Sequence, residues 1–281
     1  MTPVPKPRVA RTFGAALVTA PAYAAGMPTA TLRPYPQRPT SVRSLRASVV
    51  LAAAGILCQV AYPLTPGTAR DALTVATVLL LFAAAATHAC ATRGTRWAGV
   101  LMGTVVVVAF AAEALGVATG FPFGSYAYAD TLGPRLLGVP LVVPLAWAML
   151  AYPCLLVGQR LAHGVAAVLI AASGLASWDL FLDPQLVAAG HWHWDHPSPG
   201  LNAIPLTNTL GWLLVGTALM ALLARLPRHT ADDRVPSVVF LWTYASSVLA
   251  NAAFFGRPGV ALAGGIGMGL VALPYARSLL R

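Results

Sequence analysis

The chain has 281 residues, 58% of them hydrophobic and only 9% charged, with a mean hydropathy of +0.72. Soluble domains carry about 25% charged residues, so the composition excludes an ordinary soluble enzyme and points to an integral membrane protein. The net charge of +10 would suit a nucleic-acid binder, but in membrane proteins excess Lys and Arg sits in cytoplasmic loops and sets orientation; no nucleic-acid partner is expected.

Residues 1–45 are Pro-rich and basic, with seven cations up to Arg46 and no acid. The run Phe13–Ala25 looks like a signal-peptide core with Ala-Tyr-Ala as a cleavage site. Pro21 interrupts it, however, and a second basic cluster (Arg33, Arg38, Arg43, Arg46) follows. A disordered cytoplasmic tail, or a start placed too far upstream, is expected over a cleaved signal. Residues 46–281 form the membrane domain.

Eight apolar segments follow, at about 47–64, 71–92, 97–118, 137–158, 161–182, 205–224, 236–255 and 259–279, each close to the length of about 20 residues that a helical span needs. The expected fold is therefore all-α, a polytopic transmembrane helical bundle. Pro140, Pro144 and Pro153 predict a kink in the fourth segment. The Gly-rich stretch Gly259–Gly269 predicts close helix packing in the last. Cys58, Cys90 and Cys154 lie in apolar runs without CxxC spacing and read as small buried hydrophobes.

With the N-terminus inside, fifteen of the eighteen cations fall on the cytoplasmic side and only Arg70, Arg135 and Arg257 on the other. That bias follows the positive-inside rule and favours eight spans with both termini cytoplasmic, in a multi-pass plasma-membrane protein. The same topology gathers Glu113, Asp130, Asp179, Asp183 and Asp195, five of the eight acids, at the outer face. Asp71, beside Arg70 at a helix start, and the pair Asp232–Asp233, in what reads as a solvated loop, stay outside any site.

Ser177–Trp212 departs most from the rest of the chain, with three of the eight acids, three of the six His and four of the seven Trp. Asp179 and Asp183 are four apart and share one helix face. Asp183 precedes Pro184, which also fits a turn that ends the helix. Glu113 is surrounded by apolar residues, and a buried carboxyl must be paired, protonated or functional. The loop Gly120–Asp130 supplies Phe121, Phe123, Tyr126 and Tyr128, which fit either a substrate surface or an interfacial aromatic belt. His191, His193 and His196 invite a metal reading, but His191 and His193 have loop or strand spacing and no HExxH pattern is present, so no metal is assigned. Asn208 opens the sixth segment, either as a helix cap or to orient a carboxylate or a water.

WDLFLDPQLVAAGHWHW from Trp178 and IPLTNTLGW from Ile204 resemble the carotenoid hydratases of the CruF type, integral membrane proteins of bacteria and haloarchaea. EALGVATGFPFGSYAYADTLGP from Glu113, leading into GVPLVVPLAWAML, is similar to a second block of that family. The resemblance covers about residues 50–275. Its G-x-W-x-W pattern falls on Gly190, Trp192 and Trp194; the three His are not part of it and receive no role.

The resemblance implies a cofactor-free addition of water to the terminal double bond of an acyclic carotenoid ψ-end, giving a tertiary alcohol. Its substrate would be a C40 or C50 carotenoid in the bilayer, with other membrane enzymes of the pathway as neighbours. The chemistry needs a carboxylic acid to protonate the alkene, aromatic faces for the resulting cation and a carboxylate to deprotonate water. Asp179 or Glu113 would be the acid and Asp183 the base. Phe121, Phe123, Tyr126, Tyr128, Trp178, Trp192, Trp194, Asn208 and Trp212 would line the substrate. Two other readings stand beside it: an intramembrane prenyltransferase using Asp179 and Asp183 with Mg²⁺-diphosphate, and a carotenoid-binding or proton-coupled transport protein.

Overall fold

The computed structural model describes residues 1–2 and 42–281; apart from residues 1–2, the expected tail lies outside the described residues except for its last few positions. Those positions already belong to the first helix. Among the described residues, eight helices are long and apolar enough to cross a membrane. They are α1 (Val42–Ala61), α2 (Gly67–Arg93), α3 (Thr95–Thr119), α4 (Val142–Leu161), α5 (Gly164–Ala188), α6 (Leu206–Leu223), α7 (Arg234–Leu249) and α8 (Pro258–Leu279). A widened turn, Ala250–Phe254, extends α7, with Phe255 N donating to Ala250 O at 2.9 Å.

The connections between helices differ sharply in length. Gly94 alone joins α2 to α3, at a φ of 91° that an L side chain rarely adopts. Two residues, Ala162 and His163, join α4 to α5. The links from α3 to α4 and from α5 to α6 are long, and between them they hold six short strands: β1 (Tyr126–Tyr128), β2 (Arg135–Leu136), β3 (Val139–Pro140), β4 (Trp192–Trp194), β5 (Gly200–Leu201) and β6 (Ile204–Pro205). β2–β3 and β5–β6 are local hairpins, whereas β1 pairs antiparallel with β4 and ties the two long loops together. This cap of paired loops positions the site.

Nearly every residue of α4 from Val142 to Gly158 is buried, as expected of a helix that is apolar all round and enclosed by others. Against α5, α8 presents its small residues. A Cβ on Gly264 would stand 2.5 Å from the Phe181 ring, and one on Gly267 3.0 Å from Leu180. The close packing expected of the Gly-rich last span is therefore present, against α5 at Gly264 and Gly267 and against Tyr244 of α7 at Gly269.

Three expectations need correction. α5 does not end at Pro184 but runs on to Ala188, so Asp183 lies inside the helix; Pro184 removes one backbone donor without stopping it. Of the three prolines assigned to the fourth span, only Pro153 is interior, since Pro144 sits in the first turn and Pro140 in β3. Asp233 is not simply solvated. It pairs at 2.7 Å with Arg93, whose side chain is 1% exposed. Arg93 also donates to Tyr152 Oη at 2.5 Å, and its guanidinium lies over Trp97 and Tyr152. His88 completes the cluster, bridging Tyr152 Oη and the Asp232 carbonyl at 2.9 Å each. The loop from α6 to α7 is thereby fastened to α2 and α4, and losing one partner of such a buried pair costs about 3–5 kcal/mol.

Candidate active site

Burial of three acids in a membrane bundle demands partners for each. Glu113, Asp179 and Asp183 are 4%, 1% and 3% exposed. Their partners come from the loop cap and from α4 and α6.

Glu113, on α3, has both carboxyl oxygens occupied. Oε2 accepts from Tyr126 Oη at 2.5 Å and Tyr128 Oη at 2.8 Å, and Oε1 accepts from Trp147 Nε1 at 3.0 Å. The strand spacing explains the two tyrosines. β1 alternates, so Tyr126 and Tyr128 point to one side and Ala127 to the other. β4 does the same opposite, with Tyr126 facing Trp194, Tyr128 facing Trp192 and exposed His193 pointing away. The rings pack in the same order, with centroids 5.6 Å apart for Tyr126–Trp194 and 5.4 Å for Tyr128–Trp192. Burial, reinforced by the Glu113 carboxylate, pushes both phenols well above their ordinary value, so they remain hydrogen-bond donors.

Asp179 and Asp183, one turn apart on α5, meet at Asn208 of α6. Its amide Nδ2 donates to Asp179 Oδ2 at 2.8 Å and to Asp183 Oδ2 at 2.5 Å. Asn208 is not a helix cap: the N-cap of α6 is Pro205, with no side-chain bond. Asp179 Oδ1 is buried without a partner. The Trp192 indole N–H is also buried, close to Asp183 but without a hydrogen bond of good geometry.

These groups surround one cleft enclosing about 1290 Å³ of empty space, part of it open to the outside. Glu113, Asp183 and Asn208 line it with Phe123, Trp147, Trp178, Trp192, Trp194 and Trp212. Trp147 and Trp212 stack face to face, with centroids 3.8 Å apart and planes 6° apart, and Trp178 stands edge-on to Trp212. Two glycines let the loop cap approach this closely. A Cβ on Gly116 would lie 2.8 Å from Tyr126 Oη, and one on Gly211 2.7 Å from the Phe123 ring.

Most of the residues expected from the sequence are thus brought together. Two differ. Phe121 is 62% exposed and does not reach the cleft; its neighbour on the inward side of the turn, Phe123, takes that place. Asp179 sits behind Asp183 rather than on the cleft wall. Trp147 is the residue that sequence reasoning missed. Its only signal was an indole N–H, which needs an acceptor when buried, placed in the apolar run VPLAWAML.

The model of the family described as carotenoid biosynthesis protein matches residues 73–274. The chain belongs to that family. The matched region contains every residue of the cleft described above except those contributed by α1 and the turn after it. Among curated relatives, the bisanhydrobacterioruberin hydratase of Haloarcula japonica is 33% identical over 164 residues, 52% of this chain. The match spans about half of that protein, 55% of its length. No solved structure matches. Membership of a carotenoid biosynthesis family agrees with the membrane-spanning helices and with the aromatic cleft.

Proposed function

We propose that the protein is a carotenoid hydratase that adds water to the terminal carbon–carbon double bond of an acyclic end group and needs no cofactor. The observation that carries this reading is that two carboxyls in different environments, Asp183 and Glu113, face one aromatic cleft. The family and the name of the haloarchaeal relative support the substrate class.

The environments divide the labour. Every oxygen of Glu113 accepts from an N–H or O–H group, an arrangement suited to a carboxylate rather than to a proton donor. The Asp179–Asp183 pair, bridged by one amide, is suited to holding a proton between its oxygens, and Asp183 presents it to the cleft. Asp183 therefore protonates the less substituted alkene carbon, and the tertiary cation forms on its neighbour. The faces of Trp212, Trp178 and Trp192 stabilise that cation at up to about 2 kcal/mol each when desolvated. Water attacks the cationic carbon and gives up a proton to Glu113, which lines the same cleft as Asp183. Proton transfer through water in the cleft resets the pair. The net change is one water added, one double bond lost and one C–O and one C–H bond formed.

The positive-inside bias supports a cleft at the outer face of the plasma membrane, with both termini in the cytoplasm. Reporter fusions at Ser198 and Arg228 should then report opposite sides. The functional test is expression in cells that accumulate an acyclic C40 or C50 carotenoid. A pigment heavier by one water supports hydration. A gain of isoprene units would indicate a prenyltransferase instead, and an unchanged profile with every acyclic substrate removes the proposal.

A further inference from the structure

Among the described residues, Arg70, Arg135 and Arg257 lie on the acid-rich side of the bundle. Arg135 is neutralised there, paired with Asp130 and donating to the Tyr128 carbonyl at 2.9 Å. The other two sit on neighbouring aromatic rings. Arg70, at the start of α2, places its guanidinium over the Tyr62 ring, 5.3 Å from the centroid, while its Nε donates to the Thr65 carbonyl at 2.6 Å. Arg257, just before α8, lies over Phe255 at 5.4 Å. Tyr62 and Phe255 in turn pack edge to face, with centroids 6.1 Å apart.

This cation–aromatic–aromatic–cation ladder has no acid in it. Among the described residues neither Arg70 nor Arg257 forms an ion pair with a carboxylate. The acid next in sequence, Asp71, is 3.6 Å from His191 instead. Nη1 of Arg257 is buried without a hydrogen-bond partner. Burial, with the neighbouring positive charge of Arg70 also opposing, lowers the Arg257 guanidinium from its ordinary value. Each guanidinium is carried on one ring of the same aromatic pair, and planar guanidinium forks match phosphate oxygens. Tyr62 and Phe255 also line the cleft, so the pair stands where the apolar cavity reaches the loop end of the bundle.

We propose that Arg70 and Arg257 bind the phosphate group of a lipid whose chain enters the same cleft. The site requires none of the hydration chemistry, and its test is independent of it. A lipid seated there would occupy part of the cavity, so an anionic lipid would co-purify with the protein.

The test is retention of lipid by the full-length protein in detergent, read by native mass spectrometry after exchange against phosphatidylglycerol, a phosphate-free glycosyldiacylglycerol, or inorganic phosphate alone. Retention of phosphatidylglycerol over the phosphate-free lipid is expected, weakened about tenfold or more in Arg257→Gln and in Arg70→Gln. Arg135→Gln, a charge loss elsewhere on the same side, should retain it as the wild type does. Binding of inorganic phosphate that is lost in the Arg257 variant would support the anion site with a soluble source. Equal retention of the two lipids by the wild-type protein, which needs no variant to fold, would overturn the proposal. So would retention unchanged by Arg257→Gln.

Discussion

Asn208 donates its side-chain amide to Asp183 at 2.5 Å, so that a residue of α6 fixes the carboxyl that α5 presents to the cleft. The same nitrogen reaches Asp179 at 2.8 Å, so Asn208 joins both carboxyls. Replacing it by Leu keeps the volume but removes the bridge, and the two acids are then free to separate. Conversion of an acyclic carotenoid, measured by product chromatography, is expected to fall about 100-fold, in the range seen when one preorganised donor is lost. Unaltered conversion would show that the bridge has no part in the chemistry.

Trp147 holds Glu113 from the opposite side and stacks on Trp212. Trp147→Phe keeps a ring in the stack and leaves Glu113 Oε1 without its donor. A loss of about 1–3 kcal/mol is expected, read as a lower midpoint in thermal unfolding in detergent, together with reduced conversion. Trp147→Leu, which also loses the stack, should lose more.

His191 lies in the loop cap, buried, with Thr131 Oγ1 2.7 Å from Nδ1 and Asp71 3.6 Å from Nε2. Burial lowers it from its ordinary value of 6.5, and Asp71 only partly opposes this. The unfolded chain therefore binds more protons than the folded one near and below that pH, and stability falls as pH drops through about 6.5. Unfolding midpoints compared at about pH 7.5 and about pH 5.5 should show this loss, and His191→Gln should reduce the difference between them. An equal difference in the variant would assign the pH dependence to another group.

The spans were legible because hydropathy is a local property, and all eight lie where the apolar runs do. Their ends were less so. Pro184 looks like a helix stop, yet packing carries α5 a further turn. Glu113, Asp179, Asp183 and Asn208 stood out because polar groups in an apolar chain are conspicuous. What joins them did not stand out, because Tyr128 and Trp192 become strand neighbours only through a pairing across two helices. Asp233 misled for the same reason, since its partner Arg93 is 140 residues away. Phe121 and Phe123 are indistinguishable by type, and only the turn decides which one enters the cleft.

The central claim is that the Asp183 carboxyl delivers the proton with which hydration begins. Purified protein given an acyclic carotenoid in water labelled with heavy oxygen and deuterium tests it most directly. The wild type should give an alcohol with one labelled oxygen on the tertiary carbon and one deuterium on its neighbour. Asp183→Asn, folded by the same thermal criterion, should give neither label. An Asp183→Asn protein that still forms the doubly labelled alcohol at the wild-type rate would contradict the account.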